Sequence, residues 1–248
     1  MILGLKFQST NFKFRIRNLK SRLHFVSDFR LLIFSLTFLI QPSLSSEGFA
    51  QQKDSTLWVV KPVEVIVPVS LALSGLIVQG RISRELQRGV VKEFPHFKTN
   101  VDTYLPFVPG VVSLGLASAG VKGKHKLGDQ IILALLSNLI AQGVTQSMKR
   151  IISYPRPNRE DNHSFPSGHT TMAFTNAQIL HEEYGERSVF YSIGGYTTAA
   201  AVGGMRILNN KHWAADVLMG AGIGIGSTKI LYISYPWMQR TVRRMRHK

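Results

Sequence analysis

The sequence predicts an all-α protein: a helical bundle of about six core helices, largely transmembrane, preceded by an N-terminal signal or anchor segment. Two observations support this fold class. After Gln51, apolar runs of helix length recur between short polar loops, without repeats or low-complexity tracts. These runs are rich in Gly, Ala, Ser and Thr, and small residues let helices pack closely in a bilayer.

Hydropathy alone does not decide whether the bundle lies in a membrane. Apolar residues make up 44% of the chain and the mean hydropathy is only +0.05, which is modest for a protein that crosses a bilayer several times. A water-soluble helical bundle with many small core residues is the alternative. Several of the predicted helices are shorter than the ~20 residues that a full span needs. The six predicted helices are Pro62 to Gln79, Tyr104 to Ala119, Gln130 to Ser147, Ser167 to Glu183, Ser188 to Met205 and His212 to Tyr235.

The N-terminal region has the order of a secretory signal. A basic stretch, Lys6 to Arg30, precedes the apolar run Leu31 to Ile40, and small residues then lead to Ala50. Cleavage after Ala50 is expected, with an uncleaved anchor as the alternative. The predicted organisation is therefore a signal peptide or anchor over 1–50, one domain over 51–239 and a basic tail over 240–248.

Charge and cysteine content restrict the possible functions. The net charge is +16, but residues 1–30 hold seven Lys or Arg and the tail from Arg240 holds five, which leaves 18 basic and 12 acidic residues between Gln51 and Gln239. Because the surplus flanks apolar segments, it favours membrane orientation and argues against a nucleic-acid partner. The absence of cysteine excludes disulfides, thiolate metal sites and a cysteine nucleophile.

A first motif joins the third predicted helix to the next loop. Lys149 is followed after six residues by Arg156 and Pro157, and two prolines end the helix between them. Lys149 is thus expected near the helix end and Arg156 on the loop. Taken alone, such cations are typical of a membrane interface or of helix-dipole partners.

A second motif, Pro166-Ser167-Gly168-His169, opens the fourth predicted helix. The beginning of a helix offers free backbone N–H groups that favour an anion, and Gly168 would let a phosphate oxygen approach the main chain. The alternative is a simple capped helix with an exposed His169.

A third motif consists of Arg206, then His212 after five residues, then Asp216 after three more. Four positions apart in the sixth predicted helix, His212 and Asp216 share a face, so that the carboxylate can hold one imidazole nitrogen and leave the other nucleophilic. In isolation the pair is more typical of a surface salt bridge.

The expected topology brings the three motifs together. Between His169 and Arg206 lie two helices joined by the polar turn 181–187, so the chain leaves and then returns to the same end of the bundle. The first motif ends the helix just before the second, and therefore lies at that end too. Three cations, two histidines, a carboxylate and a helix N-terminus are expected to converge there.

This three-part pattern resembles the type 2 phosphatidic acid phosphatase (PAP2) family, which is related to the vanadium haloperoxidases and the secreted bacterial acid phosphatases. The signature Lys-x6-Arg-Pro, Pro-Ser-Gly-His and Arg-x5-His-x3-Asp is present in order, from Lys149 to Asp216. One departure is Met205, where the family usually has serine. The loss of one supporting hydrogen bond is expected from this change, but of no charge and no nucleophile.

The resemblance implies a role for each motif residue. His212 would attack phosphorus, Asp216 would fix its tautomer, and His169 would protonate the leaving oxygen and then activate water. The phosphate would be held by the remaining residues, Lys149, Arg156, Ser167, Gly168 and Arg206. No metal and no cofactor are expected, because the sequence offers no obvious carboxylate cluster for a metal ion.

The expected substrate is a membrane lipid phosphate: a phospholipid, an isoprenoid pyrophosphate or a phosphate of the lipid A type. The alternatives are a soluble periplasmic acid phosphatase of broad specificity, a vanadate-dependent haloperoxidase and a non-enzymatic membrane or nucleic-acid-binding protein. The basic tail is expected in the cytoplasm. The site then faces the periplasm from the inner membrane, with a periplasmic or outer-membrane-associated location, or the opposite topology, as alternatives. The sequence specifies neither the leaving alcohol nor the oligomeric state.

Overall fold

The computed structural model describes residues 62–246, and every regular element within them is a helix. The predicted all-α fold class is confirmed for these residues, whereas the predicted signal segment, residues 1–50, lies outside them. In chain order the elements are α1 (Pro62–Val78), α2 (Arg81–Glu93), α3 (Val101–Tyr104), a 3-10 turn (Leu105–Phe107), α4 (Val108–Ser118), α5 (Leu127–Ile152), α6 (Gly168–Tyr184), α7 (Val189–Leu208) and α8 (Ala214–Arg246).

Helix α6 occupies the centre of the bundle, in contact with α4, α5, α7 and α8. Nearly all of its residues are buried although many are polar. Because buried polar groups need hydrogen-bond partners, α6 bonds sideways to α5. Thr145 donates to Thr171 Oγ1 at 3.1 Å, and Asn138 Nδ2 donates to Asn176 Oδ1 at 3.0 Å.

Glycines bring α8 against the backbone of α6. A Cβ atom on Gly220 would lie 2.7 Å from the carbonyl oxygen of Ser167, and one on Gly224 would lie 2.5 Å from that of Thr171. Real Cβ atoms do not approach backbone oxygens so closely, so this packing requires glycine at both positions. The contact fixes the beginning of α6, where the second motif lies, against α8.

The ends of the predicted helices differ from the observed ones in two informative places. Helix α5 is longer than predicted and ends at Ile152, because the next residue, Ser153, has a left-handed φ of 46° that stops the helix before the prolines of the first motif. The sixth predicted helix begins at Ala214 and not at His212. Placing His212 inside that helix was therefore wrong: it lies in the preceding turn.

Helix α2 was not predicted. It is amphipathic and highly charged, with Ser83, Gln87 and Val90 buried, and it meets α1 at a bend of 82° beside Gly80. The other helices are predicted by long apolar runs, whereas α2 has only a narrow apolar face. Gln87 Nε2 ties α2 to the end of α7 by donating to the carbonyl oxygen of Ile207 at 3.0 Å.

Three helical segments among the described residues are long and apolar enough to cross a membrane: Val101–Ser118, Leu127–Ile152 and Ala214–Thr241. The bent pair α1–α2 would make a fourth, as a broken span or a re-entrant loop. This is fewer than the six predicted helices, because α6 and α7 are shorter or more polar. Helix α8 also continues beyond Tyr235 to Arg246, so most of the predicted basic tail prolongs a helix.

Candidate active site

The three motifs meet at one end of the bundle, as their topology predicts. Arg156 lies on the loop after α5, His169 in the first turn of α6, Arg206 in the last turn of α7 and His212 just before α8. A cavity of about 520 Å³ opens at this end. It is lined by Lys98, Thr99, Asn100, Asp102, Thr103, Arg156, Glu160, Asp161, His169, Arg206, Asn209 and Lys211.

His212 is fully buried and its ring is held from one side by Asp216, whose Oδ2 lies 3.1 Å from Nδ1. The same oxygen accepts hydrogen bonds from the Trp213 backbone N–H, at 2.9 Å, and from the Ser164 hydroxyl. Asp216 therefore joins the His212 turn, the start of α8 and the segment before α6. Its other oxygen, Oδ1, has no hydrogen-bond partner among the described residues.

The second ring nitrogen of His212 faces an arginine. Nε2 lies 3.1 Å from Arg156 Nη1, and a guanidinium can only donate. Nε2 is therefore the unprotonated nitrogen, and Nδ1 carries the hydrogen that it donates to Asp216; this tautomer follows from the hydrogen-bond network. Burial, followed by the nearby Arg206, holds the pKa of His212 well below its ordinary value, so that the ring is neutral.

Arg156 is fixed by its own loop and by the turn that carries His212. Its Nε donates to Asp161 Oδ1 at 2.7 Å and its Nη1 donates to the carbonyl oxygen of Lys211 at 3.0 Å. Lys211 in turn pairs with Glu160. These two carboxylates were not predicted as part of the site, because their pairing with Arg156 and Lys211 depends on the fold of the loop.

Lys149 and Ser167 support the surrounding backbone in this structure. Lys149 is buried in the last turn of α5, and its Nζ donates to the carbonyl oxygens of His163 and, at 3.2 Å, of Ser164. Ser167 caps α6 by accepting the backbone N–H of Thr170 at 3.4 Å. Neither residue is among those that line the cavity.

Gly168 is the first residue of α6, and the packing of the protein around it leaves room for a side-chain methyl group. A Cβ atom there would have its nearest neighbours at 3.6 to 4.0 Å, in Gln142, Lys149 and Thr145, which is ordinary van der Waals distance. The packing thus differs from that around Gly220. The first backbone N–H groups of a helix have no partner in its backbone and favour an anion; here Ser167 caps that of Thr170, and those of Gly168 and His169 precede it.

His169 lines the cavity, and burial, followed by the nearby Arg206, lowers its pKa to about 4. Arg206 is itself buried and pairs with Asp102, whose Oδ2 lies 2.7 Å from Nη1. Sequence reasoning missed Asp102, although an acid at the start of the apolar run 101–118 is a signal that could have been noticed. Met205 still accepts the backbone N–H of Asn209 through its carbonyl oxygen, at 2.8 Å, a bond that does not depend on its side chain.

Within the described range 62–246, no group of three or more His, Asp or Glu side chains is arranged to hold a metal ion. The positive groups at this end are instead guanidinium and ammonium groups. The fold and the site together define a helical membrane protein with a positively charged site that suits an anion and has two histidine rings beside it.

Residues 130–240, a little under half of the chain, match the family model of the PAP2 superfamily. It is 40% identical over 130 residues, 52% of its length, to the lipid A 1-phosphatase of Porphyromonas gingivalis, of which the matched part spans only 29%. Two solved structures are similar. The crystal structure of Aquifex aeolicus LpxE has a TM-score of 0.47 and 24% identity, covering 62% of this chain and 96% of that one. A transmembrane PAP2 type phosphatidylglycerolphosphate phosphatase from Bacillus subtilis has a TM-score of 0.43 and 18% identity, covering 70% and 97%.

Proposed function

We propose that the protein is a metal-independent phosphatase that hydrolyses a membrane lipid phosphate through a phosphohistidine at His212. One observation carries the proposal: the His212 ring is held between Asp216 at Nδ1 and Arg156 at Nε2. This arrangement presents an unprotonated nitrogen beside a phosphate-binding cation. Attack by such a nitrogen requires both features.

The surroundings suit a phosphate group. Arg156 and Arg206 both line the cavity, and the Nε of Arg206 is a buried donor without a partner among the described residues. Guanidinium groups bind phosphate oxygens through fixed pairs of donors. The start of α6 adds backbone N–H groups, and the space beside Gly168 admits an oxygen atom. Lys149 contributes positive charge from the last turn of α5 and holds the loop that precedes α6.

Two steps return the protein to its starting state. In the first, Nε2 of His212 bonds to phosphorus, the bond from phosphorus to the ester oxygen breaks, and protonated His169 gives its proton to that oxygen. In the second, neutral His169 takes a proton from water, the oxygen attacks phosphorus, and the P–N bond breaks to release phosphate. The approach of a doubly negative phosphate favours protonation of His169, and Asp216 stabilises the cationic His212 ring.

The substrate is proposed to be a lipid, and a phosphorylated glycolipid is the first candidate. The long apolar helices support access from a bilayer. The similarity to a lipid A 1-phosphatase supports a phosphate on a sugar head group, with phospholipid and isoprenoid phosphates as the other members of the class. The basic residues at the end of α8 favour a cytoplasmic C-terminus and a site that faces the periplasm from the inner membrane.

The proposal is tested by phosphate release from purified protein in detergent with EDTA present. The panel contains a phosphorylated glycolipid, phosphatidic acid and an isoprenoid diphosphate, with His212→Ala as the blank. We expect release from at least one lipid, which EDTA does not abolish. Release that EDTA removes, or that His212→Ala retains, contradicts the mechanism. Halide oxidation that depends on added vanadate would instead support the haloperoxidase alternative, and extraction by alkaline carbonate would support the soluble one.

A further inference from the structure

Asp102 belongs to the wall of the cavity although it lies far from the three motifs in sequence. It lies in α3, outside the segment 130–240 that matches the superfamily, and its side chain is only 2% exposed. Together with Arg156, His169 and Arg206 it lines the cavity. A buried carboxylate facing an anion site is unfavourable by itself, so its contacts need an explanation.

The contact of Asp102 is directed at one edge of Arg206. Its Oδ2 accepts a hydrogen bond from Nη1 at 2.7 Å, whereas Nε of Arg206 has no partner among the described residues. The carboxylate thus fixes the plane of the guanidinium group while leaving another donor free. Planar donor groups bind phosphate well only when their orientation is held.

The segment that carries Asp102 is tied to the chain just after Arg206. The Thr99 backbone N–H donates to Asn209 Oδ1 at 3.0 Å, and Asn209 Nδ2 donates to the Thr99 carbonyl oxygen at 2.9 Å. These bonds and the ion pair between Asp102 and Arg206 join the same two segments. The position of Asp102 relative to Arg206 is therefore fixed by these hydrogen bonds between the two segments as well as by the ion pair itself.

Asp102 also faces the side of the cavity where His169 lies. Its negative charge raises the pKa of His169, against the larger effects of burial and of Arg206. The charged or titratable groups around His169 come from every element packed against it. They are Lys98 before α3, Asp102 in α3, Lys149 at the end of α5, Arg156, Glu160 and Asp161 in the following loop, Arg206 at the end of α7, and Lys211 and His212 in the turn before α8. Asp161 and Glu160 are paired with Arg156 and Lys211, respectively.

We propose that Asp102 is a positioning residue of the active site, which orients the Arg206 guanidinium toward the phosphate. The inference rests on the proposed function. It assigns a part of the site to a segment that precedes the superfamily match.

Two simpler roles predict different results. If Asp102 were only a negative charge in the cavity, its removal would strengthen the binding of a phosphate dianion and would not slow turnover. If it only supported the fold, its loss would lower thermal stability without changing the kinetics of the folded fraction. A positioning role instead lowers kcat, while KM does not rise in proportion because a repulsive charge has been removed.

The test compares Asp102→Asn and Asp102→Ala with Glu85→Gln, which removes one carboxylate from an exposed ion pair on α2. We expect kcat to fall about 10²-fold in Asp102→Ala, the size of effect typical of a displaced catalytic group, and less in Asp102→Asn, which keeps an acceptor oxygen. In Asp102→Asn, kcat is expected to decline on the basic side at a lower pH than in the wild type. Glu85→Gln is expected to match the wild type.

A double-mutant cycle with Arg206→Lys makes the test specific, because the two losses should be far from additive if Asp102 acts through Arg206. Wild-type kcat in either Asp102 variant, or additive losses in the cycle, would overturn the inference while leaving the phosphatase proposal intact. If the wild type itself releases no phosphate from any lipid, the phosphatase proposal fails first. In that case Asp102 is tested by the binding of inorganic phosphate, measured as the rise in melting temperature that phosphate causes. The positioning role is contradicted if this rise is larger in Asp102→Ala than in the wild type and is not reduced in Arg206→Lys.

Discussion

The two ends of α6 carry similar side chains in different states of hydrogen bonding. At the first end, His169 and its neighbours face an open cavity, and Arg206 Nε and Asp216 Oδ1 lack partners among the described residues. At the other end, Glu182 and Glu183 are also buried but each carboxylate is held by several groups. Buried charge alone therefore does not identify a catalytic site in this bundle.

The buried polar residues at the second end form a group, the distal cluster, which consists of Glu182, Glu183, His125, Lys229 and Tyr232. Glu183 accepts the Tyr232 hydroxyl at 2.9 Å, contacts His125 Nδ1 at 2.8 Å and accepts the His125 backbone N–H at 2.9 Å. Lys229 pairs with Glu182 at 2.7 Å. These contacts join α6, α8 and the α4–α5 loop, so the cluster is a structural clamp. The amide oxygen of nearby Gln130 has no partner in the described chain, but it is neutral.

The largest expected difference between the ends is produced by His212→Ala. Loss of the nucleophile should reduce phosphate release by more than about 10³-fold, because no other group in the proposed site forms the bond to phosphorus. Lys122→Ala, an exposed change in the α4–α5 loop near the distal cluster, should leave release near normal. The assay is initial-rate phosphate release from a lipid phosphate. Equal losses in the two variants would argue against the site.

Gly168→Ala should reduce activity about 10²-fold without loss of fold, because the added methyl group fits the protein but occupies the space proposed for a phosphate oxygen. Gly204→Ala is the matched control, since it makes the same change in α7, where a Cβ meets nothing within 4 Å. Thermal unfolding and kcat/KM are measured together. A Gly168→Ala protein with wild-type kcat/KM would remove the start of α6 from the phosphate site.

The pH dependence separates the ends further. Because burial holds the pKa of His212 well below its ordinary value, this ring stays neutral as the pH falls from 8 through 6.5, while the protonated fraction of His169, with a pKa of about 4, rises. We therefore expect kcat/KM for an unactivated ester to increase over this range, by up to about tenfold per unit. His169→Ala should flatten the profile. A fall in kcat/KM below pH 6.5 would contradict the assignment of the two rings.

The smallest expected effect on catalysis comes from the distal cluster. Glu183→Gln should lower the free energy of unfolding by about 2 kcal/mol, since it weakens hydrogen bonds to a buried charged group. The kcat of the folded protein should not change. Unfolding in detergent, followed by circular dichroism, measures the first quantity. A variant with normal stability and impaired kcat would mean that the distal cluster is coupled to the site.

Much of the site was predictable because its motifs are local in sequence and the helices return to one end. The grouping of Arg156, His169, Arg206 and His212 follows from helix length and turn position alone. The exact start of α8 at Ala214 was not predicted. The Trp213 backbone N–H donates to Asp216 Oδ2 within the first turn, and the same oxygen accepts the hydroxyl of Ser164, which is 52 positions away in the chain. The second of these bonds depends on the assembled fold.

The missed elements have a different physical origin. Helix α2 has a narrow apolar face and is bound to α7 through polar contacts such as Gln87 to Ile207, which no hydropathy pattern reveals. Asp102 meets Arg206 across 104 positions of sequence, and only the packing of α3 against α7 brings them together. Long-range polar contacts of this kind depend on the assembled bundle.

The most direct test of the central claim is to trap the covalent intermediate. Purified protein is mixed with an activated aryl phosphate, which needs little general-acid assistance, and is quenched in alkali because phosphohistidine is labile in acid. Peptide mass spectrometry of wild type, His169→Ala and His212→Ala then locates any phosphoryl group. The account predicts an adduct on His212 that accumulates in His169→Ala. A phosphoryl adduct on another residue would contradict this account. So would hydrolysis of the aryl phosphate by the wild type and by His169→Ala without any adduct on His212.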